Sequence, residues 1–275
     1  MAGSGHLKGK EVSVRMSIAV LPMLIACGPT AGGDKNAGNT QDTSGPEVEP
    51  DPPGTATVDG AIVDPDGAPA VGVNVNLCNV FCYVTVTDDS GAFSYVELDA
   101  NPYSLHLTTH GSPAWSDLLV ITPVEDGEAV VFEDAFAMAN ANAETILSEA
   151  REEVLIADGF WIELAEGDVT LPVGVSGPVV VSGARVETMP TGLPVETPLA
   201  AWYIGYFDAE VADAPVRVLN EWGLEPGTTV EAQVASYRDY AWVEAGTLTV
   251  TPDGTELVGG AIPLLSTLVL VDPRL

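Results

Sequence analysis

Very few side chains in this sequence could carry reaction chemistry. The chain has three cysteines and three histidines. Cys78 and Cys82 are separated by three residues, and His106 and His110 repeat that gap further on. Thiolates and imidazoles at such spacings form a donor set that zinc accepts, and His106 and His110 would share one face of a strand. The same two thiols could instead close a short disulfide, or stay free. Glu149, Glu152 and Glu153 supply carboxylates for an acid–base pair, but no histidine, lysine or nucleophile stands near them, so a solvated face is the simpler reading. The sequence has no Gly-x-Ser-x-Gly elbow, no His-Glu-x-x-His, no phosphate loop and no Gly-x-Gly-x-x-Gly. Asp64-Pro65-Asp66-Gly67 and Pro252-Asp253-Gly254 lack the remaining oxygen ligands of a calcium loop and read as turns. The expectation is a non-enzyme with no catalytic residue, no resident metal and no cofactor.

Charge narrows the partners. Forty acidic residues stand against nine basic ones, a net of −31, and the only lysine after Arg15 is Lys35. Such a surface repels nucleic acid and anionic headgroups, because phosphate binding needs clustered lysine and arginine. The acids are spread along the chain and not grouped at ligand spacings, which indicates a solvated surface more than a divalent-cation site.

Lys8, Lys10 and Arg15 precede an apolar run from Met16 to Ala26. A basic start, a short apolar stretch and small residues at its end have the form of an export signal, and the run falls short of the roughly 20 residues needed to span a bilayer. Leu24-Ile25-Ala26-Cys27 resembles the lipobox of bacterial lipoproteins. The resemblance implies a diacylglyceryl thioether on Cys27, cleavage before it, acylation of the freed amine, and a lipid bilayer as partner. Gly28, in place of an aspartate, implies an outer-membrane destination where the host has one. Gly28–Thr55 is nearly devoid of apolar residues and reads as a disordered tether spanning about 30 Å. Export implies an oxidising compartment. With Cys27 taken by lipid, Cys78 and Cys82 remain, and the disulfide is favoured over free thiols and zinc.

The elements that would position these residues are strands. Ala56–Asp64, Val73–Cys78, Tyr83–Thr87, Ala92–Leu98 and Tyr103–Thr109 alternate apolar with polar residues between turn signals. Val58-Asp59-Gly60, Asp66-Gly67-Ala68-Pro69-Ala70-Val71-Gly72-Val73, Thr87-Asp88-Asp89-Ser90-Gly91-Ala92-Phe93 and Tyr103-Ser104-Leu105 together resemble a carboxypeptidase regulatory-like domain. That resemblance implies a seven-stranded, transthyretin-like sandwich, completed by Asp117–Thr122 and Ala129–Phe136, and brings no catalytic residue with it. Between Ala137 and Ala157, Ile146, Leu147, Ala150, Val154 and Leu155 fall at helical spacing and predict a short helix. Beyond it Phe160–Leu164, Val169–Val173, Pro178–Val181, Gly183–Glu187, Ala200–Tyr206, Val216–Asn220, Thr229–Tyr237, Ala241–Val243, Gly246–Thr251, Thr255–Val258 and Thr267–Val271 read as strands. Residues Arg217–Val230 and Trp242–Gly254 resemble the turn-and-strand pattern of ZU5-like bacterial surface sandwich modules. The tryptophans at 115, 161, 202, 222 and 242 suit core packing, with a sugar-stacking platform as the alternative.

The expected architecture is all-β: signal peptide 1–26, lipidated tether 27–55, a first sandwich (Ig/transthyretin-like) 56–138, a helical connector 139–158 and a second sandwich 159–275. The expected role is a non-catalytic envelope lipoprotein, structural, adhesive or accessory to an unknown envelope protein or glycan. The alternative is a carbohydrate- or peptide-binding surface module, accessory to a hydrolase.

Overall fold

A computed structural model describes residues 54–109, 115–142, 144–172, 176–190, 192–205, 209–272 and 274. Short strands follow one another from the start: β1 (Ala56–Val63), β2 (Asn74–Cys78), β3 (Cys82–Val86), β4 (Ala92–Leu98), β5 (Asn101–Thr108), β6 (Leu118–Val124) and β7 (Ala129–Val131). A two-residue β8 (Phe136–Ala137) resumes the line of β7. One sheet runs β4-β1-β7, with β8 also on β1, and the other runs β3-β2-β5-β6. β1 pairs antiparallel with β4 and parallel with β7 and β8.

Alternation fills this sandwich. Val58 and Ile62 of β1, Phe93 and Tyr95 of β4, Val75 and Leu77 of β2, and Tyr103, Leu105 and Leu107 of β5 all join one core. Asx turns close the reversals: Asp64 Oδ1 accepts from the amides of Asp66 and Ala68, and Asp88 Oδ1 from those of Ser90 and Ala92. β6 breaks the alternation, since Leu118, Leu119, Val120 and Ile121 are all buried. A strand reads as a continuous apolar run when it is covered on both faces. Here Leu118 and Val120 face the first core, while Leu119 and Ile121 pack on Ala235 of the second half.

The second half contains β9 (Thr145–Ile146), β10 (Glu152–Ala157), β11 (Phe160–Leu164), a single 3-10 turn (Glu166–Asp168), β12 (Val169–Thr170), β13 (Val180–Arg185), β14 (Ala200–Gly205), β15 (Ala209–Leu219), β16 (Thr229–Ser236), β17 (Ala241–Val250), β18 (Glu256–Leu265) and β19 (Thr267–Val271). They form one sheet in the order β10-β11-β15-β18-β17-β16-β19-β14-β13-β9, with β12 on β15. The sheet folds back on itself. Asn142 stitches its two ends together, donating through Nδ2 to Ile156 O of β10 and through its amide to Gly183 O of β13, both at 2.8 Å. The enclosed core packs Trp202 against Phe160 at 4.7 Å between ring centroids.

β19 serves two cores. Leu268 and Leu270 face the interior of the second half, while Val269 and Val271 join Val186 and Ala201 in the core of the first sandwich. The Leu119 amide, on the outermost strand of its sheet, donates to Thr267 Oγ1 at 3.0 Å in the buried seam. The described residues from Gly54 onward accordingly belong to one compact unit.

The expected helical connector is not formed. Residues 152–157 are β10, where Val154 and Ile156 point inward and Leu155 outward, a period of two. The helical spacing of the apolar residues here is coincidental. β10 and β11 form a hairpin across Asp158-Gly159, with Gly159 at φ 75, and pairing with β11 outweighs local helix propensity. The strand expected over residues 129–136 is interrupted at 132–135. Conversely, breaks expected between Val181 and Gly183 and between residues 243 and 246 are absent, because β13 and β17 run straight through.

Candidate interaction surface

Cys78 and Cys82 end up bonded to each other, at the close of the β2–β3 hairpin, with their Cα atoms 4.1 Å apart. The zinc alternative loses both thiolates to this bond. His106 sits on β5, opposite Asn76 of β2, and its Nε2 lies 3.4 Å from Asp117 Oδ2. Burial alone would raise the Asp117 pKa, but the bond and charge of His106 and two bonds from Thr109 outweigh it and hold the carboxyl below its ordinary value. His110 and Cys27 lie outside the described residues. Among the described residues no three histidines, cysteines or acids gather as a metal site.

The basic groups of the described residues are engaged locally. Each arginine of the folded region has a carboxylate partner: Arg151 with Asp168, Arg185 with Glu221, Arg217 with Glu153 and Glu256, Arg238 with Glu210, and Arg274 with Asp272. Arg217 ties four neighbouring strands together. It reaches Glu153 of β10 with two nitrogens at 2.8 and 2.9 Å and Glu256 of β18 at 2.6 Å, and its guanidinium lies 4.0 Å over the Trp161 ring of β11. Among the described residues such pairing leaves no cluster of cations for phosphate. Asp88 and Asp253, whose pKa values are lowered by bonds from Ser90 and Ala92 and from Thr251 and Thr255, are turn-makers. Of the three helix-motivated acids, Glu149 and Glu152 stay exposed and Glu153 holds Arg217.

The tryptophans form no stacking row. Trp202 is buried, Trp222 and Trp242 donate their ring N–H groups to Leu199 O and Gly192 O, Trp115 packs on the first core, and Arg217 covers Trp161. Open clefts are present among the described residues. One of about 500 Å³ is lined by Asn140, Asn142, Asp158, Arg185 and Glu187, and another, of about 650 Å³, runs past Thr85, Val86, Asp88 and Phe93 beside the β3 and β4 rims.

What the surface offers is apolar, and it sits on the disulfide hairpin. Val80 and Phe81 at its tip are 81% and 75% exposed, and Val84 and Val86 along β3 are 65% and 54% exposed. The hairpin is braced from behind. The Tyr237 hydroxyl lies 2.9 Å from Cys82 Sγ, and Tyr240 donates to Asn79 O. Sequence reading missed this surface because Tyr83, Thr85 and Thr87 alternate with Val84 and Val86, so neither face announces itself as the inner one. The available signal was the uncharged run from Val80 to Thr87 in an acidic chain.

The sequence matches no protein-family model and no curated protein. Among solved structures, a candidate carbohydrate-binding protein of Bacteroides uniformis aligns at 11% identity and TM-score 0.26 over 80% of each chain. BcpA, the major pilin subunit of Bacillus cereus, aligns at 13% identity and TM-score 0.24 over 78% of this chain and 57% of its own. Superpositions this loose carry no argument about function.

Proposed function

We propose that this chain is an exported envelope protein, anchored by lipid on Cys27, whose β-rich body acts without catalysis as a structural or adhesive module. The observation that carries the reading is Leu24-Ile25-Ala26-Cys27 placed between a basic, apolar leader and a polar stretch with little to bury. The Cys78–Cys82 bond supports it, because such bonds persist where thiols are not kept reduced. The paired arginines and turn-bound acids support a role outside ion or phosphate chemistry, and the packed tryptophans speak against a sugar platform.

Labelled palmitate fed to the host tests the anchor. The parent chain should take up label and fractionate with the outer membrane where one exists, and Cys27→Ser should accumulate as an unlabelled precursor, since a hydroxyl cannot replace the thiolate nucleophile. Normal processing of the Cys27→Ser chain would refute the lipid anchor.

A further inference from the structure

A strand at the rim of a sheet presents unused amides to any strand that arrives, and folded proteins usually spoil such rims with charge, proline or cover. This chain treats its rims unequally. β10 carries Glu152 and Glu153, β4 carries Glu97 and begins after Asp88-Asp89, and β6 is covered by the second half. β3 is left bare, with neither a charge nor a proline from Val80 to Thr87 in a chain of net −31.

The ladder shows which groups are on offer. Thr87 donates its amide to Val73 O, and β3 pairs with β2 in unbroken antiparallel register from Val86 on Asn74 to Cys82 on Cys78. Amides alternate in direction along such a strand. Those of Thr85 and Tyr83 therefore face β2, and the N–H and C=O groups of Cys82, Val84 and Val86 face outward. The same three residues put their side chains on the exposed face.

We propose that two copies of this chain pair through β3, antiparallel, about a twofold axis at Val84. In that register Val84 meets the partner's Val84 and Cys82 meets the partner's Val86, so three outward-facing residues on each copy find matching amides. Val84 and Val86 of both copies then form one apolar strip. Charge selects the arrangement. The antiparallel register carries Asp88-Asp89 of each copy past the partner's Val80, to opposite ends of the seam, whereas a parallel register would set like acids side by side. A second copy fits this rim, because it brings an equally neutral edge of the same length, whose exposed Val84 and Val86 extend the same apolar strip. The disulfide and the bonds from Tyr237 and Tyr240 hold the rim in place before contact, which lowers the ordering cost of association. This pairing does not depend on the lipid anchor proposed above.

Sedimentation velocity on the full chain in detergent, from nanomolar to high-micromolar concentration, tests it. The parent should dimerise, more tightly as salt screens the repulsion of two acidic bodies. Val84→Asp and Val84→Lys, each checked for native circular dichroism, should each weaken the dimer about a hundredfold, as like charges meet at the axis. An equimolar mixture of these two variants should recover the dimer, because Asp then faces Lys. A parent that stays monomeric throughout, variants that dimerise like the parent, or a mixture no better than either variant alone would overturn the proposal.

Discussion

Replacing Thr267 by valine removes one oxygen and keeps the shape of the side chain. Its hydroxyl accepts the Leu119 amide at 3.0 Å, and both residues have no exposed surface. Leu119 lies on the outermost strand of its sheet, so its N–H has no neighbouring strand to turn to, and neither residue is open to solvent. A buried donor left unsatisfied costs about 1–3 kcal/mol. For a body of this size each kcal/mol lowers Tm by about 2–4 °C. Urea unfolding followed by tryptophan fluorescence should show the loss, and the Leu119 amide should exchange with deuterium faster in Thr267→Val than in the parent. Because β19 contributes to both cores, parent and variant should each unfold in a single calorimetric transition. A stability change below about 0.5 kcal/mol with unchanged exchange would refute the dry seam, since a solvated donor loses almost nothing. Two resolved transitions would refute the shared core.

Two further perturbations follow from side chains described above. The pKa of Asp117 is depressed by His106 and Thr109 against the effect of burial, so its stabilising contribution is present above the ordinary carboxylate value of 3.8 and is lost as pH falls through the lower folded value. Asp117→Asn should therefore flatten the acid limb of a plot of urea midpoint against pH, and an unchanged limb would contradict this. Arg217→Leu removes a two-point contact with Glu153, the bond to Glu256 and the position over Trp161, and should cost about 1–2 kcal/mol at low ionic strength. Molar salt should shrink that cost, and a salt-independent loss would show that the ion pairs contribute nothing.

The sequence exposed those strands that are bounded by clear turn signals. Ala92–Leu98, Phe160–Leu164 and Thr267–Val271 agree to the residue with their expected bounds, since each lies between turn residues with clear conformational demands. Glycine and proline misled the reading inside long strands. Gly246 at φ 87 and Gly260 at φ 65 face each other, the position of a Gly246 Cβ being 3.0 Å from Gly260 Cα, so they bend β17 and β18 without ending them. Pro215 likewise sits within β15, beside a shift of register. The apolar spacing over β10 predicts a helix because such a spacing can also arise by chance in a strand, here one that turns into β11 at Asp158-Gly159. Of the candidate site, the disulfide was legible from cysteine arithmetic. The bare rim was not, since exposure of Val84 and Val86 depends on where the second half of the chain stops covering the sheet.

The position of β1 bears on how the body would carry mechanical load. β1 is the first strand of the described residues, and it is held on antiparallel β4 and on parallel β7 and β8. Tension arriving at Ala56 from a membrane anchor would run along the strand axis, across hydrogen bonds that lie perpendicular or slanted to it. Those bonds would have to slide together, and could not open one after another like a peeled hairpin. At the other end of the chain β19 is flanked by β16 and β14, so a pull on the C-terminal end would again load an interior strand. Entered through β1 and left through β19, such a body would resist extension as a shear joint.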